Sequence, residues 1–197
     1  AIIVLGVQMG FKSENFLIVI LSLVIGAVIG ELFALEDKIT NLGGWLEKKV
    51  GSSNQGSISQ GFITGTLIFV VGAMGIIGAL DSGIRGNHDV LYMKAIMDAF
   101  IALILTTTLG IGVLFSAIPV ILYEGSIAIF ATQIDRFIPD ALMNNFIIEI
   151  TATGGIMIIA IGSNLIGITK IKVANLLPGI VVTALLVSII HGFKSYF

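Results

Sequence analysis

Four carboxylates stand inside or at the edge of long apolar blocks: Glu31, Asp98, Glu124 and Glu149. An ionisable group in a membrane span marks an ion pathway, a proton relay or a buried partner, because the protein must replace the solvation that water would supply. Such a carboxylate can carry a proton or coordinate Na⁺. Glu31 closes its apolar block, where solvation at the headgroup level accounts for it. Asp98 follows Lys94 by four residues, the spacing of an ion pair on one helical face. Glu124 lies within Tyr123-Glu-Gly-Ser126, beyond Pro119, and Glu149 lies ahead of the Gly154-Gly155 pair. Glu124 and Glu149 are candidates to line a polar cavity. The alternative is that each faces a neighbouring helix.

Neutral polar residues and helix breakers fall nearby. Thr106, Thr107 and Thr108 precede Gly110 and Gly112, Ser116 precedes Pro119, and Asn175 precedes Pro178. Proline removes a backbone donor and frees a carbonyl, and glycine permits unwinding. At membrane depth such breaks survive only where the freed groups face protein or water. The predicted pathway therefore comprises Thr106, Thr107, Thr108, Ser116, Pro119, Glu124, Glu149, Asp98, Asn175 and the amides Gln8 and Asn164. A plain proline kink satisfied by neighbouring hydroxyls is the competing reading. No GxxxxGK[ST], HExxH or GxSxG pattern occurs, so no enzyme signature is present. Asp81 to Asp89 lacks the ligand order of an EF-hand and reads as a polar turn. There is no cysteine, and His88 and His191 read as loop or interface residues. No cofactor and no metal centre are expected.

The elements that must hold these residues are apolar. Of 197 residues, 56% are hydrophobic and 11% charged, against about 25% charged in a soluble domain. A net charge of −2 with ten Lys and Arg argues against a nucleic-acid partner. Seven apolar segments are predicted: 1–10, 15–34, 58–80, 91–109, 111–133, 143–166 and 173–192. Each should be helical, since lipid cannot satisfy a lone strand. The fold class is all-α, a polytopic transmembrane bundle forming a single domain over residues 1–197. Ala1 to Gly10 is too short to span and reads as the second half of a truncated helix.

Residues 35–57 are the exception. Leu35, Ile39, Leu42, Leu46 and Val50 share one helical face opposite Glu36, Asp37, Lys38, Glu47 and Lys48, with Trp45 suited to the headgroup level. The pattern predicts an interfacial amphipathic helix, with Gly43-Gly44 as the point where it would break, and a flexible linker from Gly51 to Ser57. Gly26–Gly30, Gly61–Gly65 and the Gly72, Gly75, Gly78 stripe fit close helix contact. Lys and Arg divide five against five between the two sides, so orientation is not assigned.

The ends of the chain resemble each other. Ile2 to Gly10 aligns with Ile158 to Gly167 with one insertion, matching Gly6 to Gly162, Gln8 to Asn164 and Gly10 to Gly167. Each stretch continues through a Lys-containing turn into a second apolar helix. Three segments separate the copies, so their orientations are opposite, the inverted-topology arrangement common in secondary transporters.

Gly61 to Asp81, Leu91 to Asp98 and Thr108 to Val120, together with Ile29-Gly-Glu-Leu32 and Asn175-Leu-Leu-Pro178, resemble the YdfK/YqgA family in order along the whole chain. The resemblance implies a bacterial inner (plasma) membrane protein carrying a domain of unknown function. Members of the family usually begin with a further helix. It implies no substrate. From the residues, the leading expectation is a small ion-coupled secondary transporter with inverted repeats, acting on a small ion or solute in the lipid bilayer as a homodimer. A channel assembled by an oligomer and a non-transporting membrane scaffold are the alternatives. An enzyme is not expected.

Overall fold

The computed structural model describes residues 2–50 and 57–196, and the linker assigned to residues 51–57 lies largely outside them. Every regular element among the described residues is helical: α1 (Ile2–Gly10), α2 (Phe16–Leu32), α3 (Leu35–Val50), α4 (Ser57–Val70), α5 (Ala73–Arg85), α6 (Asp89–Leu109), α7 (Ala117–Ile129), α8 (Ala131–Phe137), α9 (Asp140–Leu165) and α10 (Pro178–Tyr196). Short 3-10 turns occupy Gly110–Ser116 and Val173–Leu176. The chain forms two compact units, residues 1–36 with 138–197 and residues 37–137.

In the first unit small residues bring backbones together. A side chain at Gly6 would meet the Gly155 carbonyl at 2.6 Å and Ile159 Cγ1 at 2.8 Å, while one at Gly162 would strike Ile3. A side chain at Gly155 would meet the Gly10 amide and the Gly6 carbonyl at 2.6 and 2.7 Å. Contacts thus rise along α1 as they fall along α9, so the two helices are antiparallel. The same holds for α2 and α10, where Gly26 faces Gly179 and Gly30 faces Asn175. Such close approach maximises dispersion contact where lipid supplies no hydrophobic drive between helices. Thr153 and Thr183, both fully buried, share a 3.0 Å hydrogen bond from α9 to α10. Val19, Ala152, Met157 and Ile158 fill the core between them.

The second unit turns on three breaks. The segment predicted as one span at 58–80 is two helices, Ile58–Val70 and Met74–Arg85, bent by 59°. Gly72 sits in that break. The polar turn expected from Asp81 is shorter, because α5 continues to Arg85, which pairs with Asp81 at 3.2 Å, and ends on Gly86 at φ 67°. Between α6 and α7, Gly110 takes φ 73°, a conformation open to glycine. Lys94 on α6 then lies 2.9 Å from Glu124 on α7. A straight helix would separate residues 30 apart by about 45 Å, so the chain reverses at Gly110–Ser116.

That reversal corrects the role given to Pro119. It lies in the first turn of α7, where its missing N–H costs no helical bond, so the break precedes it. Pro178 likewise starts α10 rather than kinking it, as proline at a first helical position does. Gly43-Gly44 does not interrupt α3, which runs continuously from Leu35 to Val50. The sharp turn instead precedes it, at Ala34 with φ 47°, where α2 and the start of α3 bend by 58°. The side chains at 42, 46 and 50, and hence the full apolar face of α3, lie outside the described ones.

Among the described residues, three helical stretches are long and apolar enough to cross a membrane, or five if each bent pair is one span. One of the three, Asp89–Ile129, is the stretch that folds back at Gly110. Outward-facing Ile96, Phe100, Leu103 and Ile104 on α6 and Ile121 and Leu122 on α7 are more than half exposed. A contiguous apolar surface of that kind belongs against lipid or a partner.

Candidate functional site

The second unit builds a charged cluster where three helices meet. Lys94 and Asp98 are one turn apart on α6, and Lys94 Nζ donates to Asp98 Oδ2. The same ammonium lies 2.9 Å from Glu124 Oε1 on α7. The lysine is 8% exposed. The third wall is α5, where a side chain at Gly75 would come within 2.9 Å of Glu124 Oε1 and 3.3 Å of Lys94 Cε. Gly75 therefore makes room for the cluster. Its neighbour Gly78 on the same helix meets Leu91 and Val90 of α6, and Gly72 stands at the break with nothing within 4 Å.

The cluster lines a cavity of about 290 Å³ whose other walls are Phe69, Leu91, Val113, Leu114, Val120 and small alanines, with Ser116 the one further polar residue. Two carboxylates share one ammonium, so with all three ionised the cavity carries one excess negative charge. A charge-assisted hydrogen bond from Lys94 holds Asp98, while the buried Glu124 Oε1 has the ion pair and no hydrogen bond, and the excess charge must be met by a proton, a cation or solvent. The first turn of α5, which starts one residue past Gly72, lies against Glu124 at Gly75, so the positive end of the helix dipole is beside this carboxylate.

The predicted site residues divide among different tasks. Asp98, Glu124 and Ser116 come together in the cavity. Thr106, Thr107 and Thr108 turn their hydroxyls onto carbonyls of their own helix, those of Ala102, Ile104 and Leu105, at 2.7, 2.7 and 3.0 Å. They satisfy the end of α6 rather than the cavity. Ser116 also bonds back, to the Val113 carbonyl at 2.6 Å. Pro119 shapes the start of α7 and does not line the cavity.

The remaining candidates lie in the first unit. Glu149, 3% exposed, accepts Ser13 Oγ–H at 2.6 Å and the Glu14 and Asn15 amides at 3.0 and 2.9 Å. A carboxylate holding two amides at the beginning of α2 caps it and anchors the α1–α2 turn. Asn164 accepts the Ile171 amide at 2.9 Å and the Thr169 hydroxyl at 2.7 Å, and donates to the Ile171 carbonyl at 2.7 Å. That amide organises the turn after α9. Asn175, 4% exposed, accepts the Glu36 amide at 2.8 Å and donates to Glu31, which also pairs with Lys172 at 3.0 Å. Glu36 in turn accepts the Ala174 amide at 2.9 Å. Gln8 is on the exposed side of α1.

Lys94 and Gly75 are the site members that sequence reasoning did not place there. Lys94 was legible as the partner of Asp98, but its bond to Glu124 depends on the chain reversal. Gly75 carried the signal of close approach without showing what approaches it.

Comparison with known proteins places the chain in a family. The family described as "Protein of unknown function (DUF554)" matches residues 1–188, and the chain belongs to it. The chain is 29% identical over 185 residues to the uncharacterized membrane protein YdfK of Bacillus subtilis strain 168, covering 94% of this chain and 76% of that one. It is 29% identical over 183 residues to the uncharacterized protein YqgA of Escherichia coli strain K12, covering 89% and 75%. No solved structure matches it. Relatives and apolar helices together identify an all-helical membrane protein.

Proposed function

We propose that this chain is a small ion-coupled secondary transporter of the bacterial inner membrane, with Lys94, Asp98 and Glu124 as its ion site. The observation that carries the reading is the cavity with two carboxylates around one ammonium, 2.9 Å between Lys94 and Glu124. Such a constellation is costly in an apolar protein, and it joins two helices through a shared ammonium, where Glu149 holds backbone amides. It lies beside a helix broken at Gly72 and a chain reversal at Gly110, the kinds of interruption that transporters use at their sites.

An inverted repeat is part of the same proposal. The aligned Gly6 and Gly162 make reciprocal contacts, Gly6 with Ile159 and Ile3 with Gly162, and Ile3 and Ile159 are themselves aligned. A two-fold relation between α1 and α9 produces that pairing. A multi-pass chain with this few crossings is proposed to work as a homodimer, with transport rather than catalysis as its activity.

Reconstituted vesicles with an imposed H⁺ or Na⁺ gradient test the reading. Saturable ion flux above empty vesicles is expected, lost in Glu124→Gln and Asp98→Asn and kept in Glu149→Gln. Flux equal to that of empty vesicles, or unchanged in both site variants, overturns it.

A further inference from the structure

We infer that the ion carried at this site is a proton held by Glu124, and that binding it severs the ion pair between α6 and α7. The inference rests on the transporter reading and names its ion. Three observations lead to it. The Lys94 ammonium already lies between the two carboxylates, bonded to Asp98 and 2.9 Å from Glu124. A metal cation would have to displace it. A hard cation also takes several oxygen ligands, and beyond the two acids the described lining side chains offer only the Ser116 hydroxyl, which is engaged with the Val113 carbonyl. A proton needs no ligand shell and cancels the single excess charge.

The geometry also chooses between the acids. Asp98 shares a helix with Lys94 at one-turn spacing and accepts its hydrogen bond, whereas the buried Glu124 Oε1 accepts none. The Glu124 side chain is the less exposed, 17% against 25% for Asp98. The carboxylate that is held more weakly and is further from solvent is the cheaper one to neutralise. The groups facing it are few. α6 presents Lys94 and Asp98, α7 adds the neighbouring Tyr123, which interacts electrostatically with Glu124, α5 presents Gly75, and the α4 and 3-10 walls contribute no titratable group.

Protonation of Glu124 has a structural consequence that protonation of Asp98 lacks. The Lys94–Asp98 pair lies within α6, whereas Lys94–Glu124 joins α6 to α7. A proton on Glu124 leaves the first intact and removes the ionic half of the second. Proton occupancy is thereby coupled to the packing of a helix hairpin, a two-state element of the kind alternating access requires.

Infrared difference spectroscopy of the full chain in vesicles, titrated with acid, reads the proton directly. One carboxyl carbonyl band that is lost in Glu124→Gln is expected in the wild type, shifted when the glutamates carry a ¹³C side-chain carboxyl and unshifted when the aspartates do. A band shifted by the labelled aspartates and not by the labelled glutamates assigns the proton to Asp98 and overturns the inference. Flux provides the second arm with the same vesicles. Uptake driven by a pH gradient and indifferent to Na⁺ supports the proton. Uptake driven by Na⁺ and lost in Glu124→Gln refutes it while leaving the transporter reading standing. Absence of any flux together with a normal Glu124 band removes the transporter reading and leaves only a buried protonatable acid.

Discussion

Replacing Lys94 with methionine tests whether the charged cluster is sealed in protein. The lysine is 8% exposed and pairs with both Asp98 and Glu124. Methionine keeps much of the stem volume and removes the charge, leaving two acids against apolar walls. Removing one partner of a buried ion pair costs about 3–5 kcal/mol. Asp98 retains 25% of its side-chain exposure, which places Lys94→Met toward the lower end, about 3 kcal/mol or roughly a hundredfold in the folding equilibrium. The triple variant Lys94→Met, Asp98→Asn, Glu124→Gln removes all three charges, and neutral replacement of a whole buried network is far less costly than breaking it. It should lie within about 1 kcal/mol of the wild type. Equilibrium unfolding in mixed micelles, titrated with a denaturing detergent, measures both. A single variant within about 0.5 kcal/mol of wild type, or a triple variant as unstable as the single, refutes the buried-cluster argument.

Four further predictions concern the scaffold. Gly155→Val should destabilise by about 1–3 kcal/mol in the same unfolding assay, because its new carbon meets backbone of α1 on both sides. Gly44→Ala, where nothing lies within 4 Å, should stabilise α3 by roughly 0.5–1 kcal/mol. Asn175→Leu should cost about 1–3 kcal/mol and accelerate amide hydrogen exchange at Glu36, whose N–H loses its acceptor. Glu149→Ala should lower stability by a similar amount through loss of the α2 cap, whereas Glu149→Gln keeps one acceptor oxygen and retains ion flux.

The apolar blocks were readable because burial in lipid imposes helix on any long apolar stretch. Each predicted segment contains helix, and α3 fell where its 3.6-residue periodicity placed it. The failures were breaks. Proline at 119 and 178 looked like an interruption, yet both stand at helix beginnings, where a missing N–H is harmless. Gly110, where segments 91–109 and 111–133 divide, is a real break, and the unforeseen ones fell at Gly72 and Ala34. Local composition cannot distinguish a glycine that unwinds the chain from one that admits a neighbour, because both need the same missing side chain.

The same ambiguity hid the site. Asp98 and Lys94 were legible as a pair since helical spacing alone brings them together, but Glu124 is 30 residues from Lys94 and reaches it through the reversal at Gly110. Glu149 and Glu124 looked alike in sequence, each an isolated acid in an apolar block. Their partners separate them. Glu149 accepts three donors and its charge is fully used in fixing a turn, whereas Glu124 shares one ammonium with a competitor. An acid whose charge is met several times over is held in one state, and an acid that shares its counter-charge is poised to change state. Competition for a cation, more than burial, therefore separates Glu124 from Glu149 and is why we propose Glu124 as the ion-coupling residue.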